Sequence, residues 1–239
     1  MSMEAKQTLQ KWVRESRKIV FFGGAGVSTE SGIPDFRSVD GLYNQRYAYP
    51  PETILSARFF HENPEEFYRF YREKMLVTNA QPNPAHWKLA QWEKEGKLLA
   101  VVTQNIDGLH QKAGSKNVYE LHGTIYKNRC VRCGKFYDVQ AIEQSKGVPT
   151  CVCGGTIKPE VVLYGESLDG ACIEGAVQVI SQADLLIVGG TSLTVYPAAG
   201  LIDFYAGNRL VLVNRSATPR DGRANLVLRE SIGALFAEL

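Results

Sequence analysis

The chain has 239 residues, 27 Lys and Arg against 25 Asp and Glu for a net charge of +2, and 44% hydrophobic residues. This composition is typical of a folded globular protein and excludes the disordered and fibrous classes. Because the net charge is small, we expect neither a nucleic-acid nor a membrane partner bound through bulk charge. The cysteines number five, which is odd and too few for a disulfide-stapled scaffold.

The N-terminal region superficially resembles a secretion signal, since basic residues precede the apolar run Ile19–Val27. The run ends in glycines rather than at a cleavage site, and Leu9, Trp12 and Val13 before it have helical spacing. We therefore predict an amphipathic helix followed by a buried strand. No apolar run approaches the roughly 18 residues of a membrane span, so a cytoplasmic protein without disulfides is expected.

Short runs of apolar and β-branched residues predict strands at Lys18–Phe22, Leu98–Thr103, Ala183–Val188 and Arg209–Asn214. None alternates between polar and apolar residues, which is typical of strands covered on both faces. The clearest helix between them, Ala85–Glu95, has Asn83 and Pro84 at its start and Gly96 at its end. Strands that alternate with helices predict an α/β fold with a parallel sheet. A last helix is expected over Ser231–Leu239.

Two stretches interrupt this alternation. Residues 28–80 are too long for a simple crossover and contain several prolines, so we predict a loop with a helical subdomain. Residues 124–160 hold most of the cysteines and little apolar material. A small insertion held by something other than a hydrophobic core is therefore expected.

The cysteines of that insertion form two close pairs, Cys130-x-x-Cys133 and Cys151-x-Cys153. Two such pairs predict a zinc site, because four thiolates can surround one tetrahedral ion. A redox dithiol is the alternative, but it needs only one pair. With no position left open for water, the zinc is expected to be structural. Cys172, in a predicted helix, is expected to be a small buried hydrophobic residue.

A glycine-rich turn, Gly23-Gly-Ala-Gly-Val-Ser-Thr29, follows the first predicted strand. Glycines at this place let a backbone approach a phosphate, as in dinucleotide-binding folds. The pattern is incomplete, since Thr29 replaces the third glycine and Asp40, at the distance of the usual acidic residue, lies in loop sequence. The turn is thus compatible with nucleotide binding or with a purely structural role. An ordinary hydride-transferring dehydrogenase is disfavoured.

Polar clusters occur in a Gly/Pro-rich loop, Ile33–Arg37, and after apolar stretches at Thr103–Asp107 and Leu121–Gly123. Each cluster taken alone could cap a helix or form a turn. Three such clusters beside one sheet, however, indicate a ligand site at the carboxyl ends of its strands. Of the four histidines, His61 and His86 are expected in helices with surface or packing roles. His110 and His122 both follow strand ends, and spacing alone does not choose between them as a general base.

Together these motifs resemble the sirtuin family. In the family's order they are Gly24-Ala-Gly26 with Ser28, Gly32-Ile-Pro-Asp-Phe-Arg37, Thr103-Gln-Asn-Ile-Asp107, Leu121-His-Gly123, the four paired cysteines and Gly190-Thr-Ser192. The similarity extends from about residue 15 to the final helix. It implies a minimal member of the bacterial or archaeal type, since the chain lacks flanking extensions.

Sirtuins are NAD-consuming protein-lysine deacylases, so the resemblance implies NAD as a co-substrate and acyl-lysine proteins or peptides as partners. It implies a Rossmann-type domain with helices on both faces of the sheet, formed by residues 1–123 and 161–239 with a helical insertion at about 42–80. Residues 124–160 would form a small domain around one structural zinc. Its ligands would be Cys130, Cys133, Cys151 and Cys153.

The resemblance also implies the residues of the site. NAD contacts would come from Gly24, Ala25, Gly26, Thr29, Phe36, Arg37, Gln104, Asn105, Ile106, Asp107, His122, Thr191, Ser192, Asn214 and Ile232. Asn105 and Asp107 would hold the nicotinamide carboxamide with Ile106, and Asn214 would bind a ribose hydroxyl in place of the missing acid. His122, rather than His110, would be the general base. The substrate peptide would pair edgewise with Val162, Tyr164, Gly165 and Glu166.

The implied chemistry is attack of the acyl oxygen on the ribose carbon as nicotinamide leaves. His122 would then activate a ribose hydroxyl, and exclusion of water would favour this route over hydrolysis. Two other functions share parts of the pattern. A mono-ADP-ribosyltransferase would use the same NAD site, and a non-catalytic module binding NAD or ADP-ribose would not need the base.

The acyl preference is predicted from one helical stretch. Sirtuins that remove acidic acyl groups carry a Tyr and, three residues on, an Arg. Here Tyr71 is followed by Lys74, which keeps the charge but lacks the bidentate fork that binds a carboxylate. Tyr43 and Arg46 have the spacing but lie too early in the chain. Removal of acetyl or longer apolar acyl groups is therefore expected over desuccinylation.

Overall fold

The chain forms two β-sheets: it leaves the first sheet to build the second and then returns to the first. The structure is a computed structural model and describes residues 3–38, 41–45 and 47–239; Asp40 and Arg46 lie outside these residues. The strands are β1 Ile19–Gly23, β2 Leu98–Thr103, β3 Val118–Glu120, β4 Gly123–Cys130, β5 Phe136–Tyr137, β6 Ile157–Val161, β7 Leu185–Gly189, β8 Leu210–Val213 and β9 Leu226–Leu228. The helices are α1 Met3–Glu15, α2 Pro51–Ile54, α3 Ala57–Glu62, α4 Pro64–Phe70, α5 Pro84–Lys94, α6 Leu109–Ala113, α7 Gln140–Glu143, α8 Gly170–Gln182 and α9 Ile232–Ala237.

The main sheet has the strand order β3-β2-β1-β7-β8-β9, and all its strand pairs are parallel. Every residue of β1 and β7 is buried. Phe21 belongs to a cluster formed with α1, α5 and α9, while its neighbour Phe22 belongs to a second cluster formed with α8. Helices therefore cover both faces of the sheet, and the predicted Rossmann-type α/β fold is confirmed.

Strand order reverses at β1, because the chain continues to β2 on one side and later to β7 on the other. In open parallel sheets, the carboxyl ends of the strands at such a reversal form a crevice where ligands bind. The sequence motifs singled out above follow β1, β2, β7 and β8. The topology thus brings them to one edge of the sheet.

The four predicted strands are confirmed within two residues at either end. The helix predicted over Ala85–Glu95 corresponds to α5. At its start, the Asn83 side chain accepts a hydrogen bond from the Ala85 amide at 3.0 Å, and His86 Nδ1 accepts one from the Asn83 amide at 3.2 Å. Gly96 ends it with φ +72. The final helix is shorter than expected. The strand β9 was missed, since three apolar residues are too few to stand out in a sequence.

The second sheet is antiparallel, with the order β5-β4-β6, and carries the cysteine pairs. The helical insertion packs against it: Phe67 and Tyr71 share one buried cluster with Ile142 and Ile157. The chain continues from α4 as a π-helical turn, Tyr71–Met75. The two insertions, distant in sequence, therefore form one small unit with a common core.

Arg72 ties the two insertions together through polar contacts. Its guanidinium donates to the carbonyl oxygens of Ile142 at 3.1 Å and Gly147 at 2.6 Å, and to Ser145 Oγ at 2.6 Å. The predicted domain boundaries at residues 123 and 160 stay predictions. Among the described residues, no helix has the length and apolar character needed to cross a membrane.

Candidate functional site

A cleft of about 780 Å³ opens at the carboxyl ends of β1, β2, β7 and β8, between the main sheet and the small unit. All the residues predicted to contact NAD or the substrate peptide line it. They are Gly24, Ala25, Gly26, Thr29, Phe36, Arg37, Gln104, Asn105, Ile106, Asp107, His122, Val162, Tyr164, Gly165, Glu166, Thr191, Ser192, Asn214 and Ile232. Segments from eight parts of the sequence thus meet at one concave surface.

The glycine turn is fixed by close contact with the end of β7. A Cβ on Gly26 would lie 2.8 Å from Gly190 Cα, and one on Gly24 would lie 2.8 Å from Thr191 Cβ. The Gly26 amide donates to the Gly190 carbonyl at 2.8 Å. The turn therefore has the structural role that was one reading of the sequence. It also lines the cleft at the reversal of strand order, which suits close approach of a pyrophosphate.

A buried carboxylate lies directly beyond β2. Asp107 Oδ2 accepts a hydrogen bond from Ser28 Oγ at 2.6 Å, and Asp107 Oδ1 accepts one from the Leu109 amide at 2.9 Å. Asn105 Nδ2 donates to the same Ser28 Oγ at 3.0 Å. Burial raises the pKa of Asp107 above the usual value for a carboxyl group, although these hydrogen bonds oppose the shift.

Ser28 is a site residue that the sequence analysis did not assign. Its side chain is buried and connects the glycine turn to Asn105 and Asp107 through the two hydrogen bonds above. The sequence placed it two residues after Gly26, within a motif that resembles the sirtuin one, but indicated no role for it. A serine there is compatible with many roles until the end of β2 is brought against it.

His122 and His110 occupy different environments. His122 lines the cleft, and its Nδ1 lies 3.0 Å from the carbonyl oxygen of Gln104. Since a carbonyl only accepts, Nδ1 carries the proton and Nε2 is the basic nitrogen. Burial lowers the pKa of His122, and the Gln104 hydrogen bond opposes that shift.

His110 is buried in α6 and does not line the cleft. Its ring packs 4.7 Å from that of His86, which is also fully buried. Neither ring nitrogen of His110 has a hydrogen-bond partner among the described residues. The expected packing role of His86 is confirmed, and His61 is exposed in α3.

The ends of β2, β7 and β8 are tied together by amide side chains. Gln104 Nε2 donates to Thr191 Oγ1 at 2.9 Å, and Asn214 Nδ2 donates to the Thr191 carbonyl at 2.9 Å. Ile232, at the start of α9, is almost fully buried and lines the same part of the cleft. These contacts fix the rim without a carboxylate at the end of β8.

The loop after the glycine turn is organised by Asp35. Its Oδ1 accepts hydrogen bonds from the amides of Arg37 at 3.0 Å and Ser38 at 2.8 Å. The Phe36 ring packs edge-on against Tyr43, with centroids 5.4 Å apart. These contacts place both Phe36 and Arg37 at the cleft.

The segment after β6 forms another wall. The Val162 amide donates to the His122 carbonyl at 2.9 Å, and the Tyr164 amide donates to the Leu55 carbonyl at 2.9 Å. Glu166 Oε2 accepts from the Leu163 amide at 2.8 Å and from Lys158 Nζ at 3.1 Å. The Glu166 carboxylate is thus engaged by its own segment. Other lining residues were not anticipated from the sequence, among them Val195, Tyr196 and Arg215.

The four paired cysteines converge as expected for a metal site. Their sulfur atoms all lie within 4.8 Å of one another, with Cys130 and Cys153 3.5 Å apart and Cys133 and Cys151 3.6 Å apart. Tetrahedral zinc with Zn–S bonds of about 2.3 Å needs sulfur separations of about 3.8 Å. The set therefore fits a structural zinc ion with no position left open.

The surroundings of Cys130 and Cys151 favour their thiolates, whereas the neighbouring sulfurs raise the pKa of Cys153 to about 12. The Cys153 amide and the Tyr137 hydroxyl, 3.0 Å away, lower the pKa of Cys151 to about 6. The Arg132 amide donates to Cys130 Sγ at 3.4 Å. The fifth cysteine, Cys172, lies partly buried in α8, away from this group, as predicted for a helix position.

The two residues considered for acidic acyl groups are separated by the fold. Lys74 lines the cleft, and its ammonium lies 2.9 Å from the carboxylate of Glu73. Tyr71 is fully buried against Phe67 and does not line the cleft. The spacing of Tyr71 and Lys74 on the π-helical turn does not present them as a pair.

The parallel sheet, the cleft at its strand reversal and the four-cysteine unit define a dinucleotide-binding protein with a zinc-type small domain. A sequence model of the Sir2 family matches residues 24–197. The chain belongs to the Sir2 family, the sirtuins, as the sequence motifs predicted.

Relatives and solved structures agree over nearly the whole chain. A protein of Clostridium acetobutylicum named NAD-dependent protein deacetylase is 59% identical over 232 residues, 95% of each chain. One of Clostridium perfringens with the same name is 56% identical over 235 residues, 97% of this chain and 96% of that one. A Sir2 structure with a p53 peptide and NAD+ has a TM-score of 0.87 at 41% identity, covering 100% of this chain and 97% of that chain. Another, with a deacetylated p53 peptide and 3'-O-acetyl ADP ribose, has a TM-score of 0.90 at 41% identity, covering 99% and 96%.

Proposed function

We propose that this chain is an NAD-dependent protein-lysine deacetylase that transfers the acyl group to ADP-ribose and releases nicotinamide. The observation that carries the proposal is the convergence of the glycine turn, the Asn105–Asp107 segment and His122 on one cleft. The names of the Clostridium relatives support it, as do the Sir2 structures with NAD+, with peptide and with acetyl ADP ribose. The same structures support acyl-lysine proteins or peptides as the partner.

Binding of NAD is assigned to the residues of the main sheet. The backbone of Gly24, Ala25 and Gly26 would contact the pyrophosphate, because none of these three residues has a side chain larger than a methyl group. Asn214, at the end of β8, would bind a ribose hydroxyl of the adenosine half. Ile232 would contact the adenine. These roles rest on the placement of the residues at the cleft and on the family resemblance.

The nicotinamide end is assigned to Asn105, Ile106 and Asp107. An amide and a carboxyl group side by side can accept from and donate to a carboxamide, and Ser28 fixes both side chains. NAD supplies an electrophilic ribose carbon once its nicotinamide is held. Because Asp107 is buried, the hydrogen bonds that orient the carboxamide would be formed away from competing water.

His122 is assigned as the general base. The Gln104 carbonyl holds its proton on Nδ1, so Nε2 is the nitrogen available to take a proton from a ribose hydroxyl. Val162, Tyr164 and Gly165 would pair edgewise with the peptide that carries the acyl-lysine. Since the Glu166 carboxylate is already bonded to the Leu163 amide and Lys158, we assign it to fixing this segment rather than to contacting the peptide directly.

Zinc held by the four cysteines would maintain the small unit and take no part in bond breaking, because all four ligand positions belong to the protein. We also propose a cytoplasmic location, since a four-thiolate site requires reduced cysteines. Acetyl or longer apolar acyl groups are the proposed substrates.

The test is to incubate the protein with NAD and an acetyl-lysine peptide and to follow the products by mass. Deacetylated peptide, nicotinamide and acetyl-ADP-ribose in equal amounts are expected, with no nicotinamide released when peptide is absent. ADP-ribose attached to a protein acceptor would instead indicate a transferase. A His122→Ala variant that binds NAD but keeps full deacetylation would contradict the assigned base.

A further inference from the structure

Two tyrosines from different walls of the cleft share a hydrogen bond. The hydroxyl oxygens of Tyr43 and Tyr164 are 2.6 Å apart, and both residues line the cleft. Tyr43 belongs to the loop that carries Phe36 and Arg37, which we assign to NAD. Tyr164 belongs to the segment that we assign to the substrate peptide. The bond therefore joins the two halves of the proposed site.

Tyr43 is held firmly within its own loop. Its amide donates to the Phe36 carbonyl at 2.8 Å, and its ring packs against the Phe36 ring. The Arg37 guanidinium also lies over the Tyr43 ring, 5.2 Å from its centroid. An interaction that restricts the Tyr43 side chain therefore also restricts Phe36 and Arg37, which contact it.

The small unit fixes the backbone of Tyr164 by two hydrogen bonds. Its amide donates to the Leu55 carbonyl at 2.9 Å, and its carbonyl accepts from the Ala57 amide at 3.0 Å. Its side chain remains 41% exposed. A peptide lying along this segment would cover that side chain and restrict its rotation.

The hydroxyl pair is the direct polar link between these two parts. Among the described residues 33–45, it is the one side-chain hydrogen bond to the peptide segment. Three others join residues within the loop, and one runs from the Tyr47 hydroxyl to Gln45 Oε1 at 2.7 Å. Burial raises the pKa of Tyr43, so its hydroxyl keeps its proton at neutral pH and can take part in the bond as a donor. Phenylalanine at either position removes this bond and keeps the ring.

We propose that Tyr43 and Tyr164 are positioning residues that couple binding of the acyl-lysine peptide to binding of NAD. This inference rests on the proposed function. Peptide bound along the segment fixes the Tyr164 side chain, and the hydrogen bond transmits that restriction to Tyr43, Phe36 and Arg37. Because coupling is reciprocal, NAD strengthens peptide binding by the same factor.

The test uses two ligands that cannot react with each other, ADP-ribose and an acetyl-lysine peptide. The dissociation constant of ADP-ribose is measured by calorimetry with and without saturating peptide, and the ratio of the two constants gives the coupling. Four proteins are compared: wild type, Tyr43→Phe, Tyr164→Phe and the double variant. Each single variant is expected to lower the ratio by about two- to tenfold, the range for loss of one hydrogen bond. The double variant should lower it no further, because both changes remove the same bond.

The ratio separates coupling from a structural role. A hydroxyl that only stabilises the loop would change ADP-ribose affinity equally with and without peptide and leave the ratio as in wild type. Tyr49→Phe is the matched control, since Tyr49 is an exposed tyrosine that packs on Phe59 at 5.1 Å and does not line the cleft. Its ratio should equal that of wild type.

A ratio of one in wild type, wild-type ratios in both single variants, or losses that add in the double variant would overturn the proposal. None of these results bears on whether the wild-type protein forms acetyl-ADP-ribose. Conversely, a protein that shows the expected ratios but forms no acetyl-ADP-ribose would overturn the proposed function and leave the coupling intact.

Discussion

The Nδ1 atom of His122 lies 3.0 Å from the backbone carbonyl oxygen of Gln104. This contact fixes the tautomer of the histidine, because the carbonyl can only accept a hydrogen bond. It also joins two segments that the sequence keeps apart, the end of β2 and the turn after β3. The proposed base is therefore oriented by the same strand end that carries Asn105 and Asp107.

The first prediction concerns pH. Burial lowers the pKa of His122 below that of a free imidazole, and a general base works only in its neutral form. The value of kcat/KM should therefore stay constant as the pH falls from 8 to the ordinary histidine pKa of about 6.5 and decrease only below it. Initial rates of peptide deacetylation across this range provide the measurement. An acid limb centred above the ordinary value would contradict the environment described for His122.

The second prediction concerns Ser28. Replacing Ser28 by Ala leaves the buried Asp107 carboxylate without its closest donor, which should cost about 1–3 kcal/mol of unfolding free energy at neutral pH. Because the pKa of Asp107 is already raised by burial, the loss should shrink as the pH falls through that pKa and the carboxyl group becomes neutral.

Urea denaturation of the Ser28→Ala variant at a series of pH values from 7 downward measures this effect. Ser181→Ala is the control, since Ser181 is an exposed residue whose hydroxyl bonds to the Gln178 carbonyl. A destabilisation that stays the same at every pH at which the protein remains folded would contradict this dependence on the charge of Asp107.

The third prediction concerns the metal. Removing zinc with a chelator should unfold the small unit, because Cys130, Cys151 and Ile157 belong to the cluster that also holds the helical insertion. Deacetylation should stop as the peptide segment after β6 loses its support. Zinc content, near-ultraviolet circular dichroism and activity are followed together.

Variants distinguish the metal cysteines from the remaining one. Cys151→Ser should lower zinc content and thermal stability, whereas Cys172→Ser, in α8 outside the cluster of sulfurs, should keep both. If activity were lost while the small unit stayed folded, the metal would have a role beyond structure.

The fourth prediction concerns the acyl group. Tyr71 is fully buried and Lys74 lacks the guanidinium fork, so no paired site for an acyl carboxylate is formed by these two residues. Deacetylation should be faster than desuccinylation on peptides of the same sequence. Values of kcat/KM on matched acetyl, butyryl and succinyl peptides decide the question; faster desuccinylation would refute it, and Lys74 would then be the first residue to substitute.

Several features of the site were readable in the sequence because their chemistry is local. Cysteine pairs a few residues apart must place their sulfurs close together whatever the rest of the chain does. Glycines directly after a buried strand lie at the carboxyl end of that strand, and a run of apolar and β-branched residues such as Leu98–Thr103 is typical of a strand buried on both faces. The odd cysteine, Cys172, was likewise set apart by its distance from the pairs.

Other features depended on contacts between distant segments, and only the tertiary structure decided them. His110 and His122 have equivalent sequence positions after strands, but α6 turns His110 into the core while His122 reaches the cleft. Ser28 became a site residue because β1 and β2 are neighbours. The helical insertion and the cysteine unit share a core although residues 81–122, which include β2 and β3 of the main sheet, separate them in the sequence.

The sequence by itself thus determined the class of protein, the four clustered cysteines and the edge of the sheet where the cleft lies, since these follow from short-range patterns and from strand order. It could not determine which side chains touch across that edge. Hydrogen bonds such as those of Ser28 with Asp107 and Tyr43 with Tyr164 join residues 79 and 121 positions apart. Their geometry depends on the packing of whole elements against one another, which no local pattern encodes.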